Sequence, residues 1–166
     1  GRAVEQANKG LIAGPCKSLA RENRIVPMTP EVLFTAALQL EAGWKVTECR
    51  FEGEPRQLLL KLDFEAGKRF GCPQCGKLCL THDTSTKRWK HLNFFQYECL
   101  LEARVPRSDC PEHGVQSVAV PWAREGSGFT LLFEALVMLL CREMPMAAVA
   151  DTLEEHDTRL WRVAAH

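Results

Sequence analysis

The chain has 166 residues, which is room for one or two small domains, and its 46% hydrophobic and 25% charged residues are typical of a globular protein. Twenty-one basic residues balance 21 acidic ones, so bulk charge alone indicates no particular partner. The apolar runs are too short to span a bilayer, so we expect no membrane partner. The N-terminus lacks the apolar core of a signal peptide. We therefore expect reducing surroundings, in which cysteines bind metal rather than form disulfides.

The first ordered element is predicted to be a helix. Residues 1–28 show no helical or strand period, and we expect a weakly structured leader there. Thr29 and Pro30 then predict a helix start, because Thr caps helix N-termini and Pro is favoured at the first helical position. We expect the helix to cover Glu31 to Glu41 and to stop at Gly43. Its buried face is predicted to consist of Val32, Leu33, Ala36, Ala37 and Leu40.

Two alternating segments then predict a β-hairpin. The first strand candidate begins with Trp44 to Thr47, and the second is Leu58 to Phe64. Gly53-Glu54-Pro55 between them is typical of a turn. The buried side of the second strand is predicted to consist of Leu58, Leu60, Leu62 and Phe64.

Two short segments repeat one pattern of metal-ligand residues. They are Cys72-Pro73-Gln74-Cys75-Gly76 and Cys110-Pro111-Glu112-His113-Gly114. Each places two soft ligands three positions apart and follows them with a glycine, where a tight turn takes positive φ. Ordinary turn chemistry explains the proline and the glycine but not the matched ligands. The pattern therefore predicts one structural Zn²⁺ bound by Cys72, Cys75, Cys110 and His113.

Strand candidates between these two knuckles predict how the chain returns to the metal. Leu78 to His82 is a short candidate, and Phe95 to Val105 is a longer one. Alternation along the longer one predicts a buried side made of Tyr97, Cys99, Leu101, Ala103 and Val105. Two knuckles at the base of a small sheet are the plan of a zinc ribbon.

The other cysteines are predicted to have no metal role. Cys79 and His82 are competing ligands, but Cys79 follows Cys75 at a poorer spacing and has no glycine after it. The cysteines that remain are predicted to be small buried hydrophobes or free thiols, and they are Cys16, Cys49, Cys79, Cys99 and Cys141.

A cationic run lies between the knuckles, in the one net-basic part of the chain. Residues 67–127 carry nine basic and six acidic side chains. Lys87, Arg88 and Lys90 surround Trp89, which suits a surface that binds phosphates and stacks one base. A solvated β-turn with Trp89 packed beneath it is an equally good interpretation. Arg104 and Arg107 are candidates to extend the surface.

The C-terminal part predicts a helix-turn-helix. Pro121 and residues 126–128 mark a boundary, and an apolar helix follows from Phe129 to Met144. Pro145 starts a second helix through Leu153, and a third begins near Thr158, capped by His156 or Asp157. Side chains on the outer face of the third helix are candidates to contact DNA in the major groove: Thr158, Arg159, Arg162 and His166. The alternative is that these arginines only solubilise the helix, which the acidic neighbours Asp151, Glu154, Glu155 and Asp157 favour.

Longer matches carry a family resemblance. They include the two knuckles, His82-Asp83, Lys87 to Leu92, Phe94 to Glu98, Ala103 to Arg107, Val120 to Ala123, Phe129 to Glu134, Ala148 to Ala150 and His156 to Arg162. From about Thr29 onward the chain resembles the N-terminal part of bacterial insertion-sequence transposases of the ISL-three family. The resemblance implies a zinc-binding domain and a helix-turn-helix that together bind the element's terminal inverted repeats. Glu154 departs from the family pattern, since such turns usually have glycine there.

The resulting prediction is an α+β protein with a zinc-ribbon-like, small antiparallel β domain followed by an all-α helix-turn-helix segment. We expect a leader at 1–28, the ribbon domain at 29–127 and a truncated helix-turn-helix at 128–166. The predicted function is binding of transposon-end DNA in the bacterial cytoplasm, associated with the nucleoid. No catalytic residue is assigned, because the resemblance places the family's RNase H-like catalytic domain beyond this sequence. A homodimer, a stand-alone regulator or inhibitor of transposition, and a zinc-stabilised protein-interaction module are left open.

Overall fold

The structure is a computed structural model that describes residues 27–41 and 43–165. The expected leader at 1–28 falls almost wholly outside these residues, as do Cys16 and His166. The described elements follow in the order α1 (Pro30–Ala37), β1 (Trp44–Glu52), β2 (Gln57–Phe64), β3 (Phe70–Gly71), β4 (Leu78–Cys79), β5 (Thr81–Lys90), β6 (Glu98–Cys110), β7 (Gly114–Ser117), α2 (Leu131–Cys141), α3 (Met146–Leu153) and α4 (Asp157–Ala164).

The main sheet is mixed, so the predicted antiparallel β domain is only partly right. Its strand order is β1-β2-β6-β5, and β7 pairs with β6. Three of these pairings are antiparallel, but β2 and β6 run parallel from Gln57 opposite Glu98 to Leu62 opposite Ala103. A parallel pair needs a long crossover. Here β3, β4 and β5 form that crossover, which a residue-by-residue strand pattern does not reveal.

Strand β6 joins the two ends of the sheet. Its first half pairs with β2 up to Ala103, its last residues from Arg107 pair with β7, and β5 lies along its other side. Pro106 lies between the two partners, where its carbonyl accepts the N–H of Val118 at 3.0 Å. The backbone nitrogen and carbonyl of one strand residue point to the same side. The nitrogen of Pro106, which has no hydrogen to donate, therefore faces the gap between β2 and β7, and no hydrogen bond between strands is lost.

An apolar core covers the sheet, and the predicted buried sides of two strands form much of it. Fifteen buried residues make up this core: Phe34, Trp44, Val46, Leu58, Leu60, Leu62, Phe70, Trp89, Cys99, Leu101, Ala103, Val105, Val118, Trp122 and Ala123. Phe64 and Tyr97, which were expected inside, are partly buried at its margin. Edge-to-face contacts of Trp122 with Trp44 at 4.9 Å and with Trp89 at 5.6 Å attach the segment after β7 to the sheet.

The N-terminal helix starts where predicted but buries a different face. Thr29 caps it by accepting the N–H of Val32 at 3.4 Å, and Gln39 at φ 49° ends it before Gly43. Phe34 is its buried residue, and it packs edge-to-face on Phe94 at 5.3 Å. The predicted inner residues Val32, Leu33, Ala36 and Ala37 are exposed. One large aromatic ring outweighs several small apolar side chains in orienting so short a helix.

Three helices pack around a second core, and each predicted helix is present. Helix α2 is shorter than predicted at both ends, α3 ends at Leu153 as predicted, and α4 begins at Asp157 with His156 as its N-cap. The core is made of Phe129, Phe133, Val137, Val149, Ala150, Leu160 and Val163. The turn between α3 and α4 contains Glu154 in the left-handed conformation, at φ 51° and ψ 48°. Leu131, Leu132, Met138 and Leu139 lie exposed on the outer side of α2. No described helix is long and apolar enough to cross a membrane.

The left-handed Glu154 predicts that Glu154→Gly stabilises the chain. A residue with Cβ costs about 1 kcal/mol in this conformation, and glycine does not. We expect the free energy of unfolding in urea to rise by about that amount. Ala148→Gly, inside α3, is the matched control and should lower it by about 1 kcal/mol. Destabilisation by both substitutions would contradict a left-handed residue 154.

Candidate metal centre and nucleic-acid interface

Both knuckles form at the ends of strands, where backbone hydrogen bonds fix the turn. In the first, the Gly76 N–H donates to the Cys72 carbonyl at 2.8 Å, and the Cys72 N–H donates to the Lys77 carbonyl at 2.9 Å. In the second, Cys110 ends β6 and stands opposite Gly114, the first residue of β7. Gly76 and Gly114 have φ of 72° and 68°, as the sequence pattern predicts.

The structure brings the four predicted ligands together. Their ligand atoms all lie within 4.8 Å of one another. The Sγ atoms of Cys75 and Cys110 are 3.7 Å apart, and Nδ1 of His113 is 3.7 Å from Cys72 Sγ and 3.5 Å from Cys110 Sγ. A tetrahedron with Zn–S bonds of about 2.3 Å and a Zn–N bond of about 2.05 Å has edges of about 3.8 and 3.6 Å. The donor set therefore has the spacing of a four-coordinate soft metal ion, and the sulfurs are too far apart for disulfides.

The thiol of the predicted ligand Cys110 and that of its neighbour Cys79 lie in different chemical environments. The backbone N–H of Glu112, and then the His113 ring and its N–H, lower the pKa of the Cys110 thiol to about 6 against the opposing effect of burial. A thiolate is the form that binds metal. Cys79 is buried beside the cluster, but its thiol donates to the Lys77 carbonyl at 3.2 Å. Burial raises its pKa, so Cys79 packs against the cluster without joining the four ligands.

Among the other described cysteines none is paired. Cys49, Cys99 and Cys141 are free, and Cys99 is buried in the sheet core. Burial raises the pKa of Cys49 to about 11 and that of Cys99 to about 12, so both thiols are protonated at neutral pH. They behave as the small hydrophobes that were predicted.

The cationic run lies on strand β5 rather than in a turn. Trp89 is 4% exposed and belongs to the sheet core, so it is not available to stack on a base. Lys87 and Arg88 are both exposed near the end of β5, directly before the buried Trp89. Lys87 Nζ donates to Ser117 Oγ at 3.2 Å, and Arg88 pairs with Glu102.

Lys90 does not lie on the predicted surface. It is 6% exposed, and its ammonium pairs with Glu98 and Glu155, at 3.2 Å in each case. A buried charge of this kind is already satisfied, and a phosphate has no access to it. Since Trp89 and Lys90 are both buried although they are adjacent, no alternation in the sequence distinguishes Lys90 from its exposed neighbours.

The two arginines predicted on the outer face of helix α4 differ in their contacts within the protein. Leu160 and Val163 are buried as expected, and Thr158 and Arg162 are exposed. Arg159 binds Glu155 at 2.7 Å and lies over the Phe129 ring at 4.6 Å. Trp161, to which no role was assigned, is 57% exposed on the same helix. Residues three positions apart lie on the same face of a helix, so the exposure of Trp161 was predictable from that of Thr158.

Two adjoining cavities connect β5 with α4. The first, of about 360 Å³, is lined by Lys87 and Arg88, and the second, of about 420 Å³, by Arg159 and Arg162. Residues 124–127 line both cavities. Arg124 in this segment was missed at the sequence level, and it pairs with Glu134 at 2.7 Å. Lys87 and Arg88 thus line one cavity, and Arg159 and Arg162 line the other. We call the two adjoining cavities together the groove.

Arg104 and Arg107, which were candidates to extend the surface, are both engaged with carboxylates. Arg104 pairs with Asp63 at 3.3 Å and lies over the Phe64 ring. Arg107 pairs with Asp83. Neither arginine lines the groove.

Comparison with protein families gives two matches that follow this geometry. Residues 68–113, which contain all four clustered ligands, match the zinc-finger of transposase IS204/IS1001/IS1096/IS1165. Residues 118–166 match the helix-turn-helix domain of transposase family ISL3. The two matches follow each other along the chain and support an ISL3-type transposase N-terminal part.

Curated relatives agree with this assignment. Two proteins described as the transposase for insertion sequence element IS1557, from Mycobacterium tuberculosis strains CDC 1551 / Oshkosh and ATCC 25618 / H37Rv, are each 29% identical over 127 residues. The match covers 73% of this chain but only 29% of each relative, so the chain spans less than a third of their length. No solved structure matches it significantly.

The four-ligand cluster predicts that folding of the two knuckles depends on a bound metal. A pair of substitutions distinguishes metal ligation from packing. Cys75→Ser removes a ligand, so we expect it to lose bound zinc and to unfold the knuckles, because ligation contributes directly to folding. The matched control Cys79→Ser should keep about one zinc per chain in elemental analysis. Equal metal contents in the two variants, or a fully folded metal-free chain, would contradict this ligand set.

Proposed function

We propose that this chain is the DNA-recognition part of an ISL3-type transposase and that it binds the terminal inverted repeats of its element. The observation that carries the proposal is the groove between β5 and α4, whose two ends carry the exposed cations Lys87, Arg88 and Arg162. A phosphate backbone that lies along such a groove meets positive charge at both ends.

The metal that we propose for the four clustered ligands is Zn²⁺. Three thiolates and one imidazole in tetrahedral spacing are typical of structural zinc, and the match to a transposase zinc-finger supports the assignment. Four protein ligands leave no open position, so the ion would hold the two knuckles together and activate no water. Its role in binding is then to fix the sheet end that supports β5.

The two ends of the groove are proposed to read DNA differently. Lys87 and Arg88 lie on a strand next to the sheet core and suit phosphate contacts, which position the protein without reading sequence. Thr158 and Arg162 lie on the outer face of α4, the second helix of the helix-turn-helix, and suit base edges in the major groove. Lys90 is left out of the contacts because it is buried, and Arg159 because both Glu155 and the Phe129 ring hold it. Arg88 is kept because its side chain remains 63% exposed although it pairs with Glu102.

The acidic residues that favoured a merely solubilising α4 are partly neutralised inside the protein. Glu155 accepts both Lys90 and Arg159, and its side chain is only 7% exposed. Of the remaining acidic neighbours, Asp157 accepts the N–H of Thr158 at the start of α4. This pairing weakens the negative field that an approaching duplex meets and supports DNA contact over the alternative.

We expect Arg162→Ala and the pair Lys87→Ala with Arg88→Ala to weaken DNA binding in different ways. Loss of a base contact should cost about 1–3 kcal/mol on the specific duplex and little on scrambled DNA. Loss of phosphate contacts should weaken both duplexes and flatten the salt dependence. Fluorescence anisotropy with duplexes tiled over the DNA that flanks the gene measures both effects.

Arg142→Ala serves as the control for these variants, since Arg142 is exposed at the end of α2 and does not line the groove. It should bind like the wild type. Equal losses for Arg162→Ala on specific and scrambled duplexes would make Arg162 a phosphate contact. Absence of salt-dependent binding to any tiled duplex would overturn the proposed function.

We also propose that the described residues bind DNA without cutting it. Two-metal strand transfer needs several carboxylates at one site, whereas the candidate metal group within residues 27–41 and 43–165 consists of three cysteines and a histidine. We expect no nicking of a supercoiled plasmid that carries the element's end, with Mg²⁺ or with Mn²⁺. Metal-dependent nicking that disappears when a carboxylate is replaced would contradict this expectation.

A further inference from the structure

Lys90 is the one buried cation in the part of the chain that the structure describes. It stands at the end of β5, yet its side chain reaches the turn of the helix-turn-helix. Its ammonium donates to the Leu153 carbonyl at 3.0 Å and pairs with Glu155 at 3.2 Å, both at the junction of α3 and α4. Cations are favoured at this position because helix C-termini carry unpaired carbonyls and negative potential.

The same ammonium is also held from the sheet side. Glu98, the first residue of β6, pairs with it at 3.2 Å and itself accepts the side-chain amide of Gln57 on β2 at 2.8 Å. The Phe133 ring of α2 lies 5.7 Å from the ammonium. One side chain therefore bridges the sheet, helices α2 and α3, and the turn that leads into α4.

Backbone bonds at the same residue attach the start of the helical bundle to the sheet. The Lys90 N–H donates to the Gly128 carbonyl at 2.9 Å, and the Thr130 N–H donates to the Lys90 carbonyl at 3.0 Å. These bonds hold one short segment before α2, next to residues 124–127, which the protein exposes in the groove. The Leu131 N–H also donates to the Trp122 carbonyl at 2.8 Å, and Arg124 pairs with Glu134 at 2.7 Å, so this attachment lies along the start of α2. A bundle held along one side keeps its orientation only if a contact also fixes its far side. The ammonium supplies that contact, at the turn before α4.

We propose that Lys90 is a positioning residue that fixes the orientation of α4 relative to the β sheet and thereby sets the spacing of the DNA contacts made at the two ends of the groove. This inference rests on the proposed DNA binding for its second half only. The first half is a property of the free protein. Two contact surfaces on a rigid body require their DNA subsites at one fixed separation and helical phase, whereas a flexible link tolerates several.

Three variants of the whole chain test the orientation. Lys90→Met keeps the length of the side chain and removes its charge. Lys90→Met with Glu155→Gln also removes the buried carboxylate, so that an unpaired charge does not unfold the bundle. Lys45→Met is the matched control, because Lys45 is an exposed lysine of β1. Circular dichroism and zinc content select the Lys90 variant that remains folded.

Residual dipolar couplings of backbone amides read the orientation without DNA. In the wild type and in Lys45→Met, we expect amides of the sheet and of α2–α4 to fit one alignment tensor. In the folded Lys90 variant, the helix amides should need a second, weaker tensor. A single tensor shared by sheet and helices in that variant would overturn the positioning role.

Duplexes that the wild-type chain selects from a random-sequence library test the spacing. Hydroxyl-radical footprints locate the two contacted segments, and five base pairs, about half a helical turn, are inserted between them. We expect the insertion to weaken wild-type binding by about 100-fold and binding by the Lys90 variant by less than about tenfold. The variant should already bind the original duplex more weakly.

The outcomes separate the two ideas. Equal insertion penalties in variant and wild type, or no penalty in the wild type, would overturn the spacing role of Lys90 and leave the proposed DNA binding intact. If the wild type selects no duplex, the proposed function fails, and the dipolar couplings alone decide whether Lys90 holds the orientation.

Discussion

The β5–β6 hairpin is the constraint on which both candidate sites depend. Its register places Thr81 opposite Ser108 at one end, beside the metal-ligand cluster, and Lys90 opposite Leu100 at the other, beside the helices. Because β6 continues directly into Cys110, the sheet core and the second knuckle share one strand. A slip of one residue would turn Cys99, Leu101 and Ala103 away from the core and would displace Cys110 from the other ligands. Burial of the sheet core therefore fixes the register that assembles the cluster.

Several charged side chains of this neutral chain form ion pairs with one another. Arg124 binds Glu134, Arg107 binds Asp83, and Lys90 binds Glu98 and Glu155. Exposed pairs contribute little free energy, whereas buried ones penalise any arrangement in which one partner is missing. Lys90 and Glu155 are of the second kind, and the positioning role that we propose for Lys90 depends on this penalty.

Sequence patterns predicted the elements that short-range chemistry determines. The cap at Thr29 and the positive φ at Gly76 and Gly114 follow from spacings within a few residues. The convergence of the four ligands was predictable because one such pattern occurs twice. Other contacts between distant segments have no such repeat and were not predictable. Phe34 packs against Phe94, so α1 buries a face other than the predicted one. The parallel pairing of β2 with β6 depends on the long crossover between them. Lys90 was predicted to lie on a surface, because its partners Leu153 and Glu155 are more than 60 positions away and leave no local pattern.

Stability is distributed unevenly along the hairpin. Fifteen buried residues support the sheet and seven support the helices, whereas the buried apolar groups at the knuckle end are the sulfurs of Cys72, Cys79 and Cys110. Phe70 anchors the start of β3 in the sheet core. Beyond it, three thiols bury too little apolar surface to order two turns and strand β4, which pairs with β3, given the conformational entropy of those residues. Ligation has to supply that difference. Loss of the metal would therefore open the knuckle end as a local unit. The sheet core and the helices would stay folded, and Lys90 would still join them.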